Sequence, residues 1–195
     1  MRRAARAATF AALALGLAAA AESRELSVSL AAGGFSASEK AYRDIYGRSL
    51  VCSADLWFRF AGPLGVSLGF GVVSDKGVAI PIGDGAEVYP LKLRRRSVPV
   101  TAFYHWGRGA FDLRLGAGLA LHSYEEIWPP AGPRFEGHKT SPRVYVALGY
   151  GVFGRLSIFA SVVYDSIKTG AGSPLASDVD LGGWQFLGGL AVRLF

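Results

Sequence analysis

Apolar residues alternate with small or polar ones in eight separate runs along this chain, and a period of two predicts strands, not helices. In the first run, 26–35, Leu26, Val28, Leu30 and Ala32 oppose Ser27, Ser29, Ala31 and Gly33. The second, 50–60, sets Leu50, Cys52, Ala54, Leu56, Phe58 and Phe60 against Val51, Ser53, Asp55, Trp57 and Arg59. The third is 65–73, and the fourth is 98–106, led in by Arg94, Arg95 and Arg96 and weakened as a ladder by Pro99. Runs at 111–122, 143–152, 156–165 and 184–195 complete the set. Connections two, four and six are tight turns of three or four residues, whereas the others run from about thirteen to twenty. An even number of strands with alternately short and long connections predicts an all-β fold. It is an eight-stranded antiparallel up-and-down transmembrane β-barrel with short periplasmic turns and long outer loops.

Period two leaves open which face points inward, and the rival is a soluble barrel of lipocalin type with its apolar face inside. The non-apolar phase carries Gly69, Gly71, Gly116, Gly118, Ala120, Ala147, Gly149 and Gly151, where a solvated strand would carry Lys, Glu and Thr. Those small residues fit an interior that must also hold Trp57, Arg59, Arg114, Tyr145 and Phe159. Asp55, Arg59, Asp112, Arg114, Arg143, Asp165 and Arg193 share that phase. A charge facing lipid near the midplane costs roughly 2–4 kcal/mol, so these seven are read as a luminal polar network that plugs the barrel, most of it towards the periplasmic end. Aromatics mark the interfaces: Phe60, Trp106, Phe111, Tyr150 and Phe153 fall at the inner end, Tyr164 and Trp184 at the outer.

Arg2, Arg3 and Arg6 precede an alanine-rich apolar stretch at 7–21, which reads as a cleavable signal peptide spanning 1–21 and leaves 22–195 as one barrel domain. Losing those three arginines lowers the formal charge from +6 to +3, so the basic balance belongs partly to the signal. Cys52 is the single cysteine, which excludes an intramolecular disulfide. No His, Cys and carboxylate cluster has metal-ligand spacing, and no cofactor motif is present.

With its export signal, eight strands, alternating connections and terminal aromatic Phe195, the chain resembles the small outer-membrane β-barrels of OmpA-domain, OmpX and OmpW type. The resemblance implies a bacterial outer-membrane location, outer-membrane lipids as surroundings, and Phe195 as the signal read by the assembly machinery. One departure is that Leu190, Val192 and Leu194 are out of phase with Phe195, and Arg193 takes the in-phase position. Some barrels of this size resemble lipid A deacylases or acyltransferases, which use a His with a Ser. Here His122 precedes Ser123, and neighbours on a strand point to opposite faces. His105 and His138 offer no better pair.

The expectation is therefore a non-enzymatic structural or surface-interaction protein. A lipid-modifying enzyme and a small OmpW-like channel are the alternatives. Lys92, Arg94, Arg95 and Arg96 would sit at the outer headgroup level as a lipopolysaccharide contact. Loop residues Tyr42, Arg43, Asp44 and Tyr46, the segment 80–85, and Glu125, Glu126, Trp128, Pro129 and Pro130 would offer a surface ligand mixed charge and exposed aromatics. Export makes nucleic acid remote as a partner.

Overall fold

The computed structural model describes residues 25–47, 49–79, 89–127, 134–168 and 180–195. The signal segment 1–21, the loop segment 80–85, and Trp128, Pro129 and Pro130 lie outside the described residues. Eight strands form one closed sheet: β1 (Glu25–Ala37), β2 (Ser49–Ala61), β3 (Leu64–Ala79), β4 (Tyr89–Arg108), β5 (Phe111–Ile127), β6 (Arg134–Phe153), β7 (Leu156–Asp165) and β8 (Gly183–Arg193). Each pairs antiparallel with its sequence neighbours, and β8 closes on β1. The three tight turns each place a glycine at positive φ, at Gly62, Gly109 and Gly154.

The paired residues encircle the barrel from Phe35 through Gln185, Val163, Tyr145, Gly116, Phe103, Gly65 and Arg59 to Glu25. The circuit returns to β1 ten residues from where it began, a shear that tilts eight strands by about 40°. The resulting bore is just wide enough to be filled by side chains.

Four strands are longer than their apolar alternation indicates. β3, β4, β5 and β6 continue through residues 74–79, 89–93, 123–127 and 134–142, which the sequence pattern assigns to loops or to a basic lead-in. Backbone pairing persists there, but neither face meets hydrocarbon, so the alternation that betrays a strand is lost. The barrel wall therefore stands tall on the β3–β6 side and short on the β7–β8–β1–β2 side. Pro99 interrupts the β3–β4 pairing between Leu68↔Val100 and Gly71↔Ser97 without shifting its register.

The aliphatic phase faces out: Leu30 and Leu50 are each 65% exposed, and Leu68, Val100, Leu119, Leu148 and Phe186 continue the belt. A continuous apolar surface of this extent is a lipid-facing surface. Cys52 lies on it, exposed. The small and polar phase faces in, where glycines make room for rings. Tyr145 lies over Gly116, Phe103 over Gly65, and Phe159 over Gly189, each ring covering its direct partner on the adjacent strand.

The one helix among the described residues, α1 (Lys40–Tyr46), lies in the first outer connection and not on its surface. Tyr42 and Tyr46, one turn apart, project from the same side and are buried, which corrects the expectation that loop aromatics are displayed to partners. Tyr42 packs on Phe35 at 5.8 Å and on Tyr46 at 4.9 Å between ring centroids. Arg43 pins the helix to the end of β1 by donating to the carbonyls of Ala37 and Ser38, at 2.7 and 2.8 Å. Gly47 ends it at φ 66°.

Candidate functional site

Three places gather chemistry: the periplasmic mouth, the outer half of the lumen and the outer face of the tall wall. At the periplasmic mouth a vestibule of about 420 Å³ opens between Glu25, His105, Asp112, Arg114 and Arg193. Glu25 bridges Arg59 at 2.7 Å and Arg193 at 3.0 Å. It lies one residue before the first apolar run, outside the pattern that pointed to the other charges. Arg114 pairs with Asp112 at 3.2 Å and covers the Trp57 ring at 4.8 Å. Arg59 also donates to Nδ1 of His105 at 3.3 Å, which fixes the histidine in the tautomer that leaves that nitrogen unprotonated.

Above the vestibule the lumen closes. Trp57 meets Phe103 at 5.5 Å and Tyr145 at 5.3 Å, both edge to face. The Trp57 indole donates to Ser29 at 2.8 Å. The void beyond, lined in part by Asp55 and Ser67, holds about 20 Å³, room for about one water. Asp55 accepts from Ser53 at 3.3 Å and makes no ion pair among the described residues.

In the outer half Arg143 pairs with Asp165 at 3.3 Å, and Gln185 donates to the same carboxylate oxygen at 2.7 Å. Thus the seven charges read as one luminal network divide: Arg59, Asp112, Arg114 and Arg193 below the aromatic layer, Arg143 and Asp165 above it, and Asp55 between. Arg95 joins the upper group. It is 3% exposed, lies 4.2 Å from the Phe35 ring centroid and donates to the carbonyl of Leu181. Of the four cations assigned to lipid headgroups, Arg95 therefore cannot reach one. Period two turns it inward with Ser97 and Pro99, while Lys92, Arg94 and Arg96 point outward with Val98.

Tyr42 donates to Asp75 across the mouth. Burial pushes the hydroxyls of Tyr42 and Tyr46 well above the ordinary tyrosine range, so both stay protonated and able to donate. A further pair was hidden from sequence reading. His122 lies 2.8 Å through Nε2 from Oγ of Ser141, a serine on β6 and not the adjacent Ser123. Ser141 is 1% exposed, and Nδ1 of His122 has no hydrogen-bond partner among the described residues.

On the outer face Phe111 and Tyr150 stack edge to face at 5.0 Å near the periplasmic turns, with Trp106 and Phe153 exposed beside them. Phe60 stacks on Phe58 at 6.4 Å on the same outward phase. Tyr164 and Trp184 pair at 4.9 Å towards the other end. Phe195 lies at the periplasmic rim, its carbonyl accepting from Leu26 at 3.0 Å.

No family model matches the chain, and no curated protein does. Solved structures do. OprG from Pseudomonas aeruginosa superposes with a TM-score of 0.63 at 13% identity, over 88% of this chain and 94% of that one. A major outer membrane protein from Thermus thermophilus gives 0.59 at 12%, over 89% and 100%. The fold is that of the small outer-membrane β-barrels. The attachment invasion locus protein Ail of Yersinia pestis, solved with the heparin analogue sucrose octasulfate, gives 0.52 at 14%, over 88% and 97%. Together with the lipid-facing belt, this fold places the barrel in the bacterial outer membrane. At these identities the likeness carries architecture and no activity.

Proposed function

We propose that this protein is a sealed outer-membrane barrel whose role is structural or surface-interacting, performed on its outside and not through its lumen. The observation that carries the reading is the threefold closure of the bore: the Trp57, Phe103 and Tyr145 layer, the Arg143, Asp165 and Gln185 cluster, and α1 with Tyr42 and Arg95 across the mouth. A water-sized void cannot pass a solute. Ail's complex with a sulfated sugar analogue supports a surface role, because it gives this architecture a polyanion ligand. Phe195 and its neighbours serve the assembly machinery in this reading, and a signal peptide at 1–21 delivers the chain to it.

Conductance of the refolded protein in planar bilayers tests the proposal. The expected record has no discrete steps at potentials that open a general porin, and regular steps in wild type overturn it. The His122 and Ser141 pair favours a second reading, a lipid-modifying enzyme. It requires the buried Ser141 hydroxyl to meet an acyl ester. A change in the lipid A mass profile on expression, lost in Ser141→Ala, supports that reading.

A further inference from the structure

The vestibule at the periplasmic mouth is a blind cup. Its volume of about 420 Å³ falls within the range of small-ligand sites, roughly 300–1,000 Å³, and the Trp57, Phe103 and Tyr145 layer shuts it from above. Whatever occupies it enters and leaves on the periplasmic side, end first. Its charges do not balance. Arg114, Arg155 and Arg193 line it against Glu25 and Asp112, and Glu25 is shared with a fourth guanidinium, Arg59. Among the described residues Arg155 makes no ion pair, and it donates to the carbonyl of Leu194 at 2.9 Å. Arg193 meets Glu25 through Nε and its side chain is 57% exposed, which leaves its terminal nitrogens open. The bond from Arg59 to Nδ1 of His105 leaves the Nε2–H of that ring as a further donor. Donors thus outnumber acceptors around an enclosed space, the condition for binding an oxyanion.

We propose that this vestibule captures the C-terminal carboxylate of an extended peptide tail from a periplasmic protein, with the carboxylate on Arg193 and Arg114. The site is separate from the outer-surface role above and rests on the outer-membrane placement and the closed aromatic layer. The planar fork of arginine matches two oxygens of one carboxylate, as Arg114 already shows with Asp112. Glu25 and Asp112 stand beside the guanidiniums, so a doubly charged phosphate, or a tail with a second acid next to its end, meets like charge there. A single carboxylate meets the shortage of negative charge with the least repulsion. Arg114 lies three residues into β5 from Phe111, about 10 Å along the strand, so a carboxylate that reaches it draws about three extended residues into the mouth. Gly107, Gly109, Gly151 and Gly154 present bare backbone around the cup, where such a tail can pass close.

The test titrates the folded protein in detergent micelles against a short peptide that ends in L-alanine and carries a dye at its N-terminus, read by fluorescence anisotropy. The free acid is expected to bind saturably and its C-terminal amide at least tenfold more weakly, the loss of one charge-assisted pair. Gly151→Leu fills the cup without touching a charge, because a β-carbon there meets only the Ala110 carbonyl, at 3.6 Å. It is expected to weaken binding at least tenfold, and so is Arg193→Gln, whereas Lys40→Gln, on α1 at the outer mouth, binds as wild type. Equal binding of acid and amide overturns the proposal, as does wild-type binding by Gly151→Leu or Arg193→Gln. Displacement by equimolar inorganic phosphate overturns it in favour of a general anion site. A tenfold preference for the same peptide ending in D-alanine overturns it in favour of a cell-wall stem. Each variant is first checked for the heat-modifiable gel band of a closed barrel, so that a lost fold is not read as a lost site. A wild-type protein that lacks that band refutes the barrel itself, a failure distinct from loss of peptide binding.

Discussion

Tyr145 lays its ring over the α-carbon of Gly116, its direct partner across the β5–β6 pairing, and a β-carbon added at position 116 would collide with that ring. Glycine normally weakens a strand relative to alanine by about 0.5–1 kcal/mol. Here the ring reverses the preference. Gly116→Ala is expected to destabilise the barrel by about 1–3 kcal/mol through overpacking. In a Tyr145→Ala background the same change should become stabilising. Urea unfolding in lipid vesicles, with the four proteins forming a double-mutant cycle, checks the sign change.

Arg143 and Asp165 form the buried pair of the outer half. Removing one partner leaves the other charge enclosed, so Asp165→Ala is expected to cost about 3–5 kcal/mol. Replacing both with apolar residues of similar size, Arg143→Met with Asp165→Leu, should recover most of that loss, although Gln185 then lacks its acceptor. A double variant as unstable as the single one would mean that the pair itself, not the stranded charge, holds the wall.

Much of this is legible in the chain itself. The alternation in β5 and β7 placed every residue of those runs on its side, and the glycines of the second phase identified that phase as the interior. Legibility stopped where hydrocarbon stopped. Asp75, Arg95 and Glu126 point inward above the membrane, where no apolar partner phase marks the alternation, and a triple arginine reads as one basic patch even though its middle member turns in. Extending the Val98 phase backwards by two and four residues turns Arg96 and Arg94 outward and leaves Arg95 facing in. His122 and Ser141 are nineteen residues apart and meet only through register, which no local pattern encodes. Tyr42 and Tyr46 at helical spacing were visible, but nothing local said that their helix would turn into the mouth.

Tyr42 and Tyr46 give the mouth a pH signature. The fold favours their protonated forms, so their contribution to stability is whole below the ordinary tyrosine value of 10.0 and is lost as pH rises above it towards their raised values. Tyrosinate absorbance near 295 nm should therefore show Tyr42→Phe removing nothing from the step centred near pH 10, only from a later one that accompanies loosening of α1. A smaller first step in the variant would mean that Tyr42 is solvated.

The closures are in series, so no single removal should open the bore. Deleting residues 40–46 leaves the Trp57 layer intact, and Trp57→Ala leaves α1 in the mouth. Bilayer recordings are expected to stay silent for each change and for the two combined, because the Arg143, Asp165 and Gln185 cluster still crosses the bore, and to show small conductance steps only when Arg143→Ala and Asp165→Ala are added. Steps after loss of α1 alone would mean that neither the aromatic layer nor that cluster seals.

Because four strands rise past the lipid while the other four stop at it, the molecule has a front and a back within the plane of the membrane. A neighbour drifting against β7, β8, β1 and β2 meets hydrocarbon and an aromatic rim, as it would on any barrel. One arriving from the other side meets a standing palisade of paired strands. Rotation about the membrane normal, invisible in a symmetric cylinder, thus becomes a coordinate along which this protein can tell its neighbours apart.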